Sequence, residues 1–271
     1  FVETSDMSVK AGVMLTFKVQ AIDAEGDSIV YSASNLPTGA SFVGDTFSWT
    51  PLTGGIYNVE FIASDGKASS TMTVSITVLP NAPDGLVLWM QFDDTPADGV
   101  LDSSTYGNNG TTDKQPAFVN GYFKKAYLFD GIDDYVAVPD SASLDVTQIT
   151  LSAWIYVNKY KDDQRIISKE TGTTSPYSVY SLLLSGTGEK RLELRLNIGG
   201  TRKVVTSNTE VPLNKWTHVA ATFDGIRVRL YIDGLLDKST TIVGAIQAND
   251  KPVYVGASQF YSRFFAGMID D

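Results

Sequence analysis

Apolar residues recur at every second position through most of the chain, as in LTFKVQAID (Leu15 to Asp23), TMTVSITVL (Thr71 to Leu79), ITLSAWIYV (Ile149 to Val157), RLELRLNI (Arg191 to Ile198), IRVRLYIDG (Ile226 to Gly234) and KPVYVGA (Lys251 to Ala257). Side chains on a strand alternate between its two faces, so each run predicts a half-buried β-strand. Gly, Asp, Asn or Pro bounds most runs. Short strands with turn signals about eight to twelve residues apart are the pattern of sandwiches, and no long stretch has the helical period. The pattern therefore predicts an all-β chain of two tandem β-sandwiches. The two prolines of LPNAPDG (Leu79 to Gly85) interrupt the pattern where no central strand can continue. A boundary is expected there, with one domain over 1–80, a linker at 81–84 and a second domain over 85–271.

A hydrophobic share of 43% over 271 residues is ample for packed cores. The net charge of −10 disfavours nucleic acid and anionic membranes as partners and suits cations and neutral glycans. With no cysteine there is no disulfide framework, which fits a microbial surface protein better than a small secreted animal module. No apolar run approaches the roughly 20 residues that span a bilayer, and FVETSDMSVK lacks a basic-then-apolar leader. Any signal or anchor is expected outside this segment.

In the first domain the phrases AIDAEGDSIVYSASNLPTGASF, TFSWTPLTGGIYNVEFIASDG and TMTVSITVL resemble the cadherin-like or immunoglobulin-like repeats of microbial surface proteins. LPTG supplies a tight turn, SDG a hairpin, and Trp49 before Pro51 a core plug. The acidic residues Asp23, Glu25, Asp27 and Asp65 are explained by turn chemistry, with a cadherin-like cation cluster as the alternative.

From Gly85 onward, LVLWMQFDD, LDSSTYGNNGT, AYLFDGIDDYVAVPDSASLDV, ITLSAWIYVNKY, NKWTHVAATFDG, VRLYIDGLL, VYVGAS and FFAGMIDD follow the order and spacing of the laminin-G-like, concanavalin A-like jelly roll. The chain is similar to that family over essentially the whole second domain. The resemblance implies a bound calcium ion (Ca2+) at Asp102, Asn109, Asp130 and Asp270, with Asp94 as an addition. Such oxygens suit a loose shell of about six to eight ligands, and Gly107, Gly110 and Gly131 would leave carbonyls accessible. Turn capping by Asp102 and a hairpin at Asp130-Gly131 account for the same residues without a metal. Asn109-Gly110-Thr111 also spells a glycosylation sequon, which would compete with the cation. Family members continue past IDD into a further strand, so the closing strand is expected to be missing and an edge left open.

No strand carries the E-x-D-x-E run of glucanases, and Glu193 stands alone among arginines. The one histidine, His218, has no Cys nearby and no G-x-S-x-G anywhere, and reads as a packed or hydrogen-bonded strand residue. No enzymatic activity is expected. Glycan modules stack a ring on the sugar's apolar face and flank it with polar groups. If Leu192, Leu194 and Leu196 face the core, Arg191, Glu193, Arg195 and Asn197 face away, and the same parity turns Arg229, Tyr231 and Tyr254 outward. Arg195, Arg229, Tyr231 and Tyr254 are the expected ligand residues, with Tyr177 and Tyr180 nearby; an ordinary solvated sheet face is the alternative. Trp49, Trp89, Trp154 and Trp216 are read as core, and SQFYSRFF (Ser258 to Phe265) as a second ligand surface or a packing face.

The expected function is non-catalytic recognition of a glycan or glycoprotein outside the cell, by a calcium-stabilised jelly roll on a spacer within a larger surface protein. A stalk, sheath or filament whose partner is another copy of the chain is the competing class. An accessory module of a polysaccharide-degrading enzyme is the third.

Overall fold

The structure, a computed structural model, describes residues 1–271 except 3–4, 80–84, 94–98, 113, 115, 187–189, 259 and 261, and the side chain of residue 79. The chain divides into two compact units, Phe1–Pro83 and Asp84–Asp271. The linker expected at 81–84 lies outside the described residues. Among the described residues there is no α-helix, so none is long and apolar enough to cross a membrane.

The first unit holds β1 (Met7–Lys10), β2 (Leu15–Lys18), β3 (Val30–Ser34), β4 (Ser41–Val43), β5 (Thr46–Trp49), β6 (Gly55–Ser64) and β7 (Ser69–Leu79). They form one sheet in the order β1-β7-β6-β3 and a second in the order β2-β5-β4. Phe47 and Phe61 meet edge-on between the sheets at 6.0 Å, and Trp49 is buried beside Tyr57 with its indole N–H donated to the Thr38 carbonyl. Two of the acidic residues, Asp23 and Asp65, are turn caps. Asp23 Oδ1 accepts from the amides of Glu25 and Asp27, and Asp65 Oδ1 from those of Lys67 and Ala68, while Lys67 Nζ lies 2.6 Å from Asp27. These amide contacts hold the Asp65 carboxyl below its ordinary value.

The second unit contains β8 (Ala117–Asn120), β9 (Lys125–Asp130), β10 (Val136–Val138), β11 (Ile149–Val157), β12 (Arg165–Glu170), β13 (Ser178–Leu184), β14 (Arg191–Ile198), β15 (Thr201–Glu210), β16 (Trp216–Phe223), β17 (Arg227–Ile232), β18 (Leu235–Thr241), β19 (Val253–Val255) and β20 (Ala266–Asp270). A six-stranded sheet runs β10-β19-β12-β13-β14-β15 and a seven-stranded sheet β18-β17-β16-β11-β20-β9-β8. The last strand is interior, since β20 pairs with both β9 and β11, and the open edges belong to β8 and β18 rather than to β20. The core lies between the sheets. Leu182, Leu184, Leu192, Leu194 and Leu196 face Leu151, Ile155, Val219, Phe223, Leu230 and Ile269 there, all in one buried cluster. Where Lys169 would otherwise be an unpaired buried charge, its Nζ meets Asp140 at 2.5 Å and Asp145 at 2.9 Å, which ties β12 to the 3-10 turn Ala142–Leu144.

Candidate functional site: two sheet faces and an oxygen cradle

With leucines inward, the six-stranded sheet turns a polar face away from the core. Cross-strand partners share a face, so Tyr254, Ser168, Ser181 and Arg195 make one row across it, and Arg165, Leu183, Glu193 and Thr206 the next. This face is covered, because Ser168, Ser181, Glu170, Arg165, Glu193 and Asn197 are all buried. An alternating charge network runs along it. The Arg195 guanidinium forks onto Asp163 at 2.8 and 2.9 Å and also donates to Glu193. Arg165 donates to the Asp163 carbonyl at 2.9 Å and to Glu170 at 3.3 Å, and Glu170 accepts from Ser258 Oγ at 2.7 Å. Burial works against the Asp163 charge, but Arg195 outweighs it and holds the carboxyl below its ordinary value.

At the other end of the same face the polar groups are not consumed. Ser181 Oγ, Asn197 Oδ1, Ser178 Oγ and Arg202 Nε are buried atoms without a hydrogen-bond partner. Asn197 is paired with Arg202 across β14 and β15, and the Arg202 guanidinium lies 5.8 Å over the ring of Tyr177, which is 37% exposed. Buried polar groups are nearly always paired in folded proteins, so these four atoms are the unsatisfied polar groups of that face, and Tyr177 with Arg202 carries it to the surface.

The seven-stranded sheet presents a different face. With Ala153, Ile155 and Val157 inward, Trp154 and Tyr156 point outward; with Thr217 and Val219 inward, so do Trp216 and His218. Tyr122 stacks on Trp154 at 3.6 Å and 11°, Trp216 lies 5.7 Å from Tyr156, and His218 lies 5.2 Å from Trp154. Tyr122, Trp154, Lys215, Trp216, His218, Asp233 and Gly234 line a cleft of about 630 Å³. The Asp233-Gly234 hairpin, with φ of 48° and 77°, is a turn that an Asp-Gly pair adopts readily. It places Asp233 at the rim, where Oδ1 accepts from the His218 amide at 3.0 Å and Oδ2 meets Lys215 Nζ at 3.2 Å. Burial pushes the His218 imidazole below its ordinary value. The core reading of Trp154 and Trp216 is corrected, whereas His218 stands on the interior strand β16, packed against Trp154 with its amide donated to Asp233. Of the four tryptophans only Trp49 is buried. The alternation in SAWIYV and WTHVA carries that information.

The expected ligand residues do not make one surface. Arg195 and Tyr254 lie on the polar face of the six-stranded sheet, whereas Arg229 and Tyr231 lie on the outer face of the seven-stranded sheet, across the sandwich. Arg195 is spent on carboxylates, and Arg229 forms an exposed pair with Asp224 at 2.8 Å. Tyr254 packs beside Tyr135, and Tyr180 is a core ring whose hydroxyl reaches the Leu144 carbonyl. Of SQFYSRFF, Gln259 and Tyr261 lie outside the described residues, Phe265 is in the core, and Arg263 pairs with Asp162.

Nor do the four expected metal residues converge. Asp102 caps its own loop, accepting from the amides of Trp89, Ser104 and Asn108 and from Ser104 Oγ, while Asn109 Oδ1 accepts from the Asp102 amide. Asp130 caps the turn after β9 and sits with Asp133 and Asp134, whose acidic oxygens lie within 4.8 Å of one another. Burial, then the neighbouring Asp130 and Asp133, push Asp134 above its ordinary value. Asp130 stands opposite Ala266 at the far end of the β9·β20 pair from Asp270, about 13 Å away at ~3.4 Å per residue. Asp94 lies outside the described residues.

Asp270 has surroundings of its own. It is 1% exposed, its Oδ2 accepts from the Phe123 amide at 2.9 Å, and its Oδ1 has no partner. A Cβ on Gly121 would meet Asp270 Oδ2 and the Lys125 carbonyl at 2.5 Å and the Phe123 carbonyl at 2.6 Å, so these three oxygens crowd one space beside the glycine. Asp93 flanks it, accepting from the Lys125 amide at 3.1 Å. Burial pushes Asp270 up to about 6, with Asp271 and Asp93 adding to the rise. A buried carboxylate with a free oxygen, beside two carbonyls and a second acid, is a donor set that fits a hard cation.

With this geometry in hand, residues 130–271 match the family model described as the Concanavalin A-like lectin/glucanases superfamily, and residues 1–79 match the one described as "Putative Ig domain". The chain belongs to the concanavalin A-like lectin/glucanase superfamily, with an Ig-like domain preceding the jelly roll. Among solved structures it is similar to domain 4 of AbnA, a GH43 extracellular arabinanase from Geobacillus stearothermophilus, in complex with arabinotriose. Identity is 19% and the TM-score 0.55, over 68% of this chain and 89% of that one. The likeness establishes the shared fold. It is also similar to the CBM40 of the Ruminococcus gnavus IT-sialidase bound to α2,3-sialyllactose, at 16% identity and a TM-score of 0.41, over 49% of this chain and 85% of that one. No curated protein matches the chain.

Proposed function

We propose that this chain is a non-catalytic carbohydrate-binding segment of a larger extracellular microbial protein, its jelly roll holding a glycan against the polar face of the six-stranded sheet. The observation that carries the reading is the edge at which that face reaches the surface, where the exposed ring of Tyr177 and the guanidinium of Arg202 stand beside the unpartnered atoms of Ser178, Asn197 and Arg202. Vicinal sugar hydroxyls both donate and accept, so they satisfy a hydroxyl, an amide oxygen and a guanidinium N–H together, while the tyrosine ring meets the apolar sugar face. Arg195 then acts as flooring, holding Glu193 and Asp163 rather than the ligand. Asp163, Glu193 and Glu170 on this face are paired with arginines, which holds them as ion-pair partners rather than as the free acid of glycoside cleavage. Titration of arabinotriose into the protein tests the site: Asn197→Ala and Arg202→Ala each weaken binding about tenfold, the effect of losing one to two hydrogen bonds. Unchanged affinity in both variants would sink the assignment.

Calcium belongs to the same reading. Asp270 and the carbonyls of Phe123 and Lys125 would hold it, with Asp93 close by. The ion would supply the positive charge that the buried Asp270 lacks and would fix the turn over residues 121–125. The likeness to a domain of an extracellular arabinanase supports an accessory module of a polysaccharide-degrading enzyme as the setting, with the Ig-like domain as spacer.

A further inference from the structure

The cleft on the seven-stranded sheet lies on the opposite side of the sandwich from the polar face and shares no residue with it. We infer that this cleft, walled by Tyr122, Trp154 and Trp216 and rimmed by Lys215, His218 and Asp233, is a second and independent binding site for a neutral sugar ring. The inference rests on the carbohydrate-binding reading above, but not on the residues assigned there.

Three observations define the ligand class. First, the walls are rings that a flat apolar face can lie on, and Tyr122 itself lies on Trp154 at 3.6 Å and 11°. Axial C–H groups of a sugar present such a face to an aromatic ring. Second, the rim offers complementary polar groups from the bend before β16, from β16 itself and from the β17–β18 hairpin. Lys215 donates, Asp233 accepts, and a histidine depressed by burial is neutral near pH 7 and both donates and accepts. An anionic sugar would be opposed by Asp233, which already engages Lys215, and by the net charge of −10. Third, about 630 Å³ falls in the range of small-ligand sites, whereas seven lining residues are far fewer than a stable protein interface uses.

A sheet-borne site of this kind is also rigid. Trp154 and His218 are register partners, as are Tyr156 and Trp216, and the Asp233-Gly234 hairpin clips back to His218 through two hydrogen bonds. Of the three ring walls only Tyr122 lies outside the strands, on a turn, which makes it the wall able to adjust to an incoming ring.

The test follows the indole N–H resonances of Trp154 and Trp216 while arabinotriose, cellohexaose and mannohexaose are added separately to millimolar concentration. At least one probe is expected to displace both resonances. The displacement should persist in Asn197→Ala, weaken at least tenfold in Trp216→Ala and Lys215→Ala, and leave the unfolding midpoint of Lys215→Ala unchanged. Should Trp216→Ala not fold, Tyr122→Ala on the exposed turn replaces it. No displacement by any of the three sugars overturns the second site, as does a displacement that Asn197→Ala abolishes or that neither cleft variant weakens. Loss of the cleft signal with retained, Asn197-dependent binding would leave the polar-face reading standing, so the two failures are separable.

Discussion

The outward faces of the two sheets in the second unit were built from the same alternating pattern and ended in opposite states. On the six-stranded sheet the outward positions are arginine, glutamate, serine and asparagine, and they are buried beneath neighbouring segments and locked by ion pairs. On the seven-stranded sheet they are tryptophan, tyrosine and histidine, and they stay partly open around a cleft. The polar residues are more buried than the aromatic ones, the reverse of what hydropathy alone would order. The difference arises because charge can be buried when each group finds an opposite partner, as Asp163 does for Arg195, while a ring can stay exposed when its neighbours are other rings.

The largest effect should come from breaking the locked face. Arg195→Ala strands Asp163 and Glu193 with one partner fewer, and a loss of about 3 kcal/mol is expected in urea unfolding. Arg229→Ala is the control on the open face: it has the same residue type and outward parity, but its pair with Asp224 is exposed and the midpoint should not move. Equal losses in the two variants would erase the distinction between the faces.

Next comes the oxygen cradle that underlies the Tyr122 wall. Saturating calcium, at about a hundred times its Kd, should stabilise the protein by about 2.7 kcal/mol over a chelated sample. Asp270→Asn and Gly121→Ala should abolish that difference, the second because its methyl group would collide with three oxygens. Asp102→Ala should lower stability equally with and without calcium, as loss of a loop cap does. A calcium effect that only Asp102→Ala removes would move the metal to the first turn.

A smaller effect is read from pH in chelator. The Asp270 carboxyl is raised from 3.8 to about 6 in the fold, so the folded state holds its proton more tightly than the unfolded chain. Its contribution is fully present below pH 3.8 and is lost as pH rises through about 6. Relative to Asp270→Asn, the wild type should therefore lose stability between those values, and parallel profiles would contradict the burial argument. The smallest effect is expected at Tyr231→Ala, which should leave arabinotriose binding unchanged because that side chain belongs to neither site.

Much of this was legible beforehand. Leu192, Leu194 and Leu196 sorted their strand into a core side and a polar side, and the turn glycines and aspartates marked where strands stop. Reading the same parity through Ser152-Ala153-Trp154-Ile155-Tyr156 would have turned Trp154 outward. The acidic residues were harder. Asp102, Asp130 and Asp270 look alike in sequence, but one caps a loop, one caps the turn that crosses from one sheet to the other and one lies buried beside two carbonyls. No local pattern separates them, because backbone carbonyls carry no residue signature.

The amino-acid order by itself determined the strands, their two faces and the turns between them, since alternation and turn chemistry act over a few neighbouring residues. Only the tertiary structure decided which outward face is covered and which oxygens meet. Those outcomes depend on partners far apart along the chain, Asp163 with Arg195 across 32 residues and Phe123 with Asp270 across 147, and on which side of the sandwich each pair closes.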